Sequence, residues 1–223
     1  AAATEVRLML DRTIKEIKKY SNKNIKIAFD EWNTYVEATP PYFIENYNIA
    51  DAIYAASLLN ACINRGNIIT NTGIYHLINV MGNYRIEKKK IWKTPTTLVL
   101  ELYTKFHKGN ILKSVVNASN FVSNKLGKQP EYKKNKLIDS AITMNGKNMC
   151  MSVVNKSSSE KISLKIPYLD RIVENYCIEG SNKVDLNTYA NTSKVKIKKN
   201  SLRISKGFLI LPPHSISVVL FNI

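Results

Sequence analysis

Carboxylates are scarce in this sequence. Only 17 Asp and Glu stand against 33 Lys and Arg, a formal net charge of +16 at pH 7 over 223 residues. The excess is +5 in residues 1–112 (15 basic, 10 acidic) and +11 in 113–223 (18 basic, 7 acidic). Such a charge invites a nucleic-acid or anionic-surface partner. The sequence carries no RRM-like aromatic motif, no zinc-finger spacing and little arginine, and charge alone supplies only non-specific affinity. Lys194, Lys196 and Lys198 fall on the polar alternation of a strand, the pattern of a solvated sheet face. Neither nucleic acid nor membrane is expected as a partner. Abundant Lys, Asn and Ile together read as compositional bias.

Long apolar runs are also missing. No window reaches the roughly 18 uninterrupted apolar residues of a membrane-spanning helix. Residues 1–12 lack the charged and then apolar regions of a secretory signal. Cysteine is rare: Cys62, Cys150 and Cys177 are odd in number and widely spaced. They read as unpaired thiols of a reducing compartment, with no metal-ligand spacing, so neither a metal nor another cofactor is expected.

Against this background one stretch stands out: Ile27-Ala28-Phe29-Asp30-Glu31-Trp32-Asn33. A short apolar run ends in two of the few acids, an indole and a carboxamide. Before it, Val6, Leu10, Ile14 and Ile17 share one face of a helix that Thr4 can cap, running to about Tyr20. Helix, short loop and buried strand make half of a βαβ repeat and favour a parallel sheet. Pro40, Pro41, Tyr35, Tyr42, Phe43 and Tyr47 fill the loop that follows, serving either as packing or as flat apolar surface for a ligand. A second helix is expected over 50–64, ending at Arg65-Gly66. A strand region follows over 68–79, with His76 near its end, then a basic loop over 83–93. Thr94-Pro95 starts a third helix that Gly109 ends.

After Gly109 the texture changes to short strand-like runs: 141–144, 149–154, 161–166, 194–197, 202–204, 208–211 and 215–221. Turn residues such as Asn145-Gly146 separate them. Several short strands at regular intervals predict a β-sandwich. No internal repeat is present.

Asp30-Glu31-Trp32-Asn33 after an apolar strand resembles the nucleophile motif of the family 51 glycoside hydrolases, the α-L-arabinofuranosidases. Ile49-Ala50-Asp51-Ala52-Ile53 with Leu58-Leu59-Asn60 resembles that family's "DAL…LN" helix, and His76-Leu77-Ile78-Asn79-Val80 its "QLVNV" strand. Thr94-Pro95-Thr96, Leu102-Tyr103 and His107 resemble its "TPTYHVFEMY…H" helix. Val153-Val154-Asn155, Asn187-Thr188 and Leu211-Pro212-Pro213-His214-Ser215 resemble late landmarks, in order and at fitting spacing.

The resemblance implies an α/β plus all-β fold: the last βα units of a TIM (β/α)8 barrel over residues 1–110, then a jelly-roll-like β-sandwich over 111–223. It implies a retaining glycoside hydrolase that removes terminal α-L-arabinofuranosyl groups from arabinan or arabinoxylan oligosaccharides, with no cofactor. Glu31 takes the nucleophile position. An attacking carboxylate must stay ionised, for which hydrogen-bond donors around it are expected. Tyr35, Trp32, Asn33 and His76 take substrate-binding positions, and His76 replaces a common Gln. The family's acid/base Glu follows a "GNE" motif on an earlier strand, and no Gly-Asn-Glu occurs here. A barrel of about 250 residues does not fit in residues 1–110 either. The expected partner is therefore a missing N-terminal half of the barrel, without which this chain is inactive. The family is often intracellular and oligomeric, so a cytoplasmic homo-oligomer is expected. Two alternatives stay open: a non-catalytic or degenerate carbohydrate-binding module, and the same chemistry on a xyloside or glucan.

Overall fold

The computed structural model describes residues 2–34, 46–125 and 130–223. Helix α1 (Ala2–Tyr20) leads to strand β1 (Ile27–Trp32), helix α2 (Ile49–Ile63) and strand β2 (Ile69–Ile74). β1 and β2 pair in parallel, so β1, α2 and β2 form one βαβ unit. α2 starts at a capping box. The Asn48 side chain accepts from the backbone of the third helical residue, and Asp51 accepts from the Asn48 N–H at 2.8 Å. Apolar residues run most of the way round α2, as its Ala- and Leu-rich sequence predicts, and ten of its residues are buried.

The basic segment 83–93, expected as a loop, is a hairpin of β3 (Tyr84–Glu87) and β4 (Lys90–Lys93), turned at Lys88 with φ +53°. Its length-two connection and alternating Tyr84, Ile86 and Trp92 are hairpin signals that the lysines obscure. α3 (Pro95–Phe106) then starts at Thr94, with Pro in its first turn, as the sequence predicts. Among the described residues the parallel sheet consists of β1 and β2 alone.

The remaining strands are β5 (Asn110–Leu112), β6 (Asn120–Ser123), β7 (Tyr132–Lys136), β8 (Ile138–Asn145), β9 (Asn148–Asn155), β10 (Ile162–Leu164), β11 (Ile172–Glu179), β12 (Ile197–Lys199), β13 (Arg203–Ser205), β14 (Phe208–Leu211) and β15 (Ser215–Asn222). They form a six-stranded antiparallel sheet in the order β12-β11-β15-β9-β8-β5, a three-stranded sheet β10-β14-β13 and the pair β6-β7. The expected sandwich is present. Met149, Met151 and Val153 of β9 face a core shared with Leu209 and Leu211 of β14, while Cys150 and Val154 face α2 and α3. Both faces of the large sheet are covered, so β9 and β15 are almost wholly buried and read as continuous apolar runs.

β11 lies inside this sheet but is absent from the sequence expectation, because Glu174 and Asn175 interrupt its apolar pattern. Asn175 is buried and accepts from the Leu202 N–H at 3.0 Å, which ties β11 to the β12–β13 connection. Lys198 and Lys199 of β12 pair with Glu179 and Glu174 of β11 at 2.6 and 2.5 Å. One apolar cluster joins Trp32, Ile69, Leu58 and Leu102 to Ile178, Ile216 and Val218, so the βαβ unit and the sandwich share a core.

Candidate active site

β1 carries Asp30 and Glu31 to its C-terminal end, where both are exposed. Phe29 pairs with Thr72 and Trp32 with Ile74, so three steps along β1 match two along β2. The extra residue makes a β-bulge at Asp30–Glu31. A bulge interrupts the simple up-and-down alternation and re-aims the side chains, a device common beside active sites. Gly73 stands opposite. A Cβ there would lie 3.2 Å from the Asp30 carbonyl oxygen, closer than side chains normally come to backbone, so glycine lets the bulged strand approach. Among the described residues the Glu31 carboxylate makes no hydrogen bond or ion pair.

The two residues after Glu31 are occupied within the protein. Trp32 is buried, and its indole N–H donates to Thr72 Oγ1 at 2.7 Å, across the β1–β2 pair. The Asn33 side-chain amide donates to the Tyr75 carbonyl and to the Met81 carbonyl, the latter at 2.9 Å. It thereby grips both ends of the loop that carries His76. The Met81 carbonyl also accepts from the Tyr47 hydroxyl at 3.1 Å and from the His76 N–H at 3.3 Å. Tyr47 is buried, so of the loop aromatics weighed as packing or ligand surface it packs. Tyr35, Tyr42 and Phe43 lie outside the described residues.

His76 follows the end of β2 by two residues, and its exposed ring rests against the Tyr75 ring at 4.8 Å. Its main chain is fixed from both sides, because its carbonyl accepts from the Asn83 N–H and side-chain amide, each at 3.1 Å. Glu31 and His76 thus stand at the C-terminal ends of neighbouring parallel strands. In an open or closed α/β sheet that is the end where ligands bind.

Thr72, Gly73 and Asn83 support this site and were not foreseen. Asn83 is buried, and its carbonyl accepts from the Thr94 N–H at 3.0 Å and from the Thr97 hydroxyl, joining the His76 loop to the start of α3. Thr72 and Gly73 sit in a run of polar and small residues between Ile69 and Ile74, and no sequence pattern says which neighbour they face. Asp51 sits close by at the start of α2. Burial pushes its carboxyl above the usual range, against hydrogen bonds from the Asn48 N–H and from Thr34 at the end of β1.

Asn187, a sequence landmark, is buried. Its side chain spans from Val195 to the carbonyl of Lys93 at 3.0 Å, and its own carbonyl accepts from the Trp92 indole at 3.1 Å. It ties the sandwich to the strand that enters α3. Asn155, another landmark, is wholly buried and donates to Pro212 at 2.7 Å, closing the loop before β15.

A family model described as the alpha-L-arabinofuranosidase C-terminal domain matches residues 30–215. The chain is 24% identical over 216 residues to an intracellular exo-alpha-(1->5)-L-arabinofuranosidase of Streptomyces lividans, covering 87% of this chain and 32% of that protein. In solved structures it is similar to an alpha-L-arabinofuranosidase of Thermotoga maritima in an arabinose complex, with a TM-score of 0.85 at 21% identity, over 100% of this chain and 49% of that one. A thermostable GH51 alpha-L-arabinofuranosidase of Thermotoga petrophila gives a TM-score of 0.85 at 21% identity over 98% and 49%. The chain spans about half the length of these structures and about a third of the curated relative.

Proposed function

The chain belongs to the family of alpha-L-arabinofuranosidase C-terminal domains, and from that premise we propose that it is the C-terminal part of a retaining glycoside hydrolase that removes terminal α-L-arabinofuranosyl groups from arabinan or arabinoxylan oligosaccharides. The observation that supports this most is the bulged end of β1, which presents an exposed Glu31 at the same, C-terminal, end of the parallel β1–β2 pair that His76 follows. Glu31 is the nucleophile of the proposal. It attacks the anomeric carbon, and the bond to the leaving oxygen breaks as a second carboxylic acid protonates that oxygen. The same second group then takes a proton from water, whose oxygen attacks the anomeric carbon and releases Glu31.

Retaining chemistry requires the two carboxyl groups about 5–5.5 Å apart. Asp51 is engaged in the capping box, and Asp30 is the immediate chain neighbour of Glu31. We place the acid/base in a part of the protein upstream of this chain, together with the other strands of an eight-stranded barrel and further donors to the Glu31 carboxylate. In this reading residues 1–110 complete the barrel and 111–223 form the accessory sandwich. His76 and Tyr35 contact the sugar. Trp32 and Asn33, whose polar groups are bonded within the protein, hold the strand end and the His76 loop in place. This chain alone is inactive.

Substituting Glu31→Gln in the full-length protein should lower turnover of an activated arabinofuranoside by at least about a thousandfold, the scale of losing a covalent catalyst. Turnover retained within about tenfold would overturn the nucleophile assignment.

A further inference from the structure

The loop after His76 is held in an unfavourable shape. Asn79 and Val80 sit consecutively at φ +49° and +44°, in the left-handed region that a β-branched residue such as valine rarely enters. Such a backbone persists only where its surroundings over-determine it. The β3–β4 hairpin supplies that constraint. The Asn79 N–H donates to the Tyr84 carbonyl, and the Asn79 side-chain oxygen accepts from the Ile86 N–H, each at 2.8 Å. The Leu77 carbonyl accepts from the Tyr84 N–H at 2.9 Å, and the Val80 carbonyl from the Arg85 guanidinium at 3.2 Å.

The hairpin in turn has little core of its own. Of the residues in β3 and β4 only Trp92 is buried, and a two-stranded hairpin by itself is marginal in water. Its support comes from the sandwich. Asn187 takes the Trp92 indole N–H and reaches the Lys93 carbonyl. The Asn187 side chain is bonded both ways to the Val195 main chain, at 2.7 and 2.9 Å, and Val195 belongs to the main core. Tyr189, two residues on, holds the turn end of the hairpin. Its carbonyl accepts from the Lys90 ammonium at 3.0 Å. Its ring lies under the Lys90 and Lys88 ammonium groups at 4.5 and 5.3 Å and meets the Trp92 ring edge-on at 6.3 Å.

We propose that the sandwich loop at Asn187–Tyr189 positions His76 for the reaction. Tyr189 is then a positioning residue, acting through the hairpin and the His76 loop without touching the sugar. The proposal rests on the glycosidase reading, in which His76 contacts the sugar, and it gives the sandwich a part in turnover.

A kinetic double-mutant cycle between Tyr189 and His76 in the full-length protein tests it. Tyr189→Ala should lower kcat/KM for an activated arabinofuranoside about tenfold, the scale of a modest misplacement. Tyr189→Phe keeps a ring under the two lysines and should stay within about twofold of wild type. In a His76→Ala background the same Tyr189→Ala change should cost less than about twofold, because the group it positions is gone. A purely structural role would give the same fractional loss in both backgrounds. A second readout needs no turnover. Hydrogen exchange over residues 77–86 should be at least about tenfold faster in Tyr189→Ala, with α2 and β9 unchanged. Exchange unchanged over 77–86, or equal losses in the two backgrounds, would overturn the proposal. Wild-type turnover that survives Glu31→Gln would instead overturn the glycosidase reading, and the exchange result would still decide whether Tyr189 holds the His76 loop.

Discussion

The hydrogen bond from the Trp32 indole to Thr72 is the contact on which the geometry of the strand end depends most directly. Trp32 is 4% exposed, and its N–H has Thr72 Oγ1 at 2.7 Å. Thr72→Val keeps the shape of the side chain and removes the acceptor. A buried donor left without a partner costs about 1–3 kcal/mol. Thr72→Ser keeps the oxygen and should cost well under about 1 kcal/mol beyond its lost methyl. Trp32→Phe removes the donor, so in the double variant the unpaired group is gone. A double-mutant cycle in urea, followed by circular dichroism, should therefore give a coupling of about 1 kcal/mol or more between the two sites. Activity supplies a second reading. Trp32 adjoins Glu31, and a misplacement of about 1 Å can cost on the order of a hundredfold in rate. Thr72→Val in the full-length enzyme should lower kcat with little change in KM, and Thr72→Ser should restore most of it. Additive effects within about 0.5 kcal/mol, with Val and Ser equally active, would refute the reasoning.

Other outcomes follow from the same structure. Gly73→Ala would set a Cβ 3.2 Å from the Asp30 carbonyl oxygen, so the bulge must shift by a few tenths of an ångström. Activity should fall by about tenfold or more, with a stability loss of only about 1 kcal/mol by denaturation; wild-type kinetics would show that the bulge does not aim Glu31. Burial lowers the His107 imidazole from 6.5 to about 4, and its Nε2 is buried without a partner among the described residues. Between those values the unfolded chain binds the extra proton, so stability should fall as pH drops from about 6.5 toward 4. The slope is at most about 1.4 kcal/mol per pH unit, and His107→Gln should flatten it in melts across that range. The native gene product should have a mass well above 25.3 kDa, or co-purify with a chain that completes the barrel; a lone product of 25.3 kDa would count against the proposed upstream acid/base.

Much of the fold was legible because local rules and tertiary demands agree. Apolar periodicity marked α1 and α3, with Thr94-Pro95 as the start signal of α3, and a run rich in Ala and Leu marked α2. The alternating runs after Gly109 marked a sandwich. The ordered motifs marked the family, and the scarcity of acids drew attention to Asp30 and Glu31. Where the sequence misled, a long-range contact overrode a local sign. β11 is interior to the large sheet despite Glu174 and Asn175, because Asn175 is satisfied by Leu202, which lies 27 residues away. Segment 83–93 pairs into a hairpin despite its lysines.

Composition and pattern therefore determined the classes of element, the two textures of the chain and the carboxylate to watch. Only the tertiary structure decided how that carboxylate is presented. The bulge at Asp30–Glu31 exists because β1 meets Gly73 and Thr72 on a strand about 40 residues later, within hydrogen-bonding reach only after α2 folds back. The bonds from Asn33 to the His76 loop arise the same way, across 48 residues to Met81. Side-chain aim and hydrogen-bond partnership belong to pairs of residues brought together by folding, and a linear sequence names the members of such pairs without saying which of them meet.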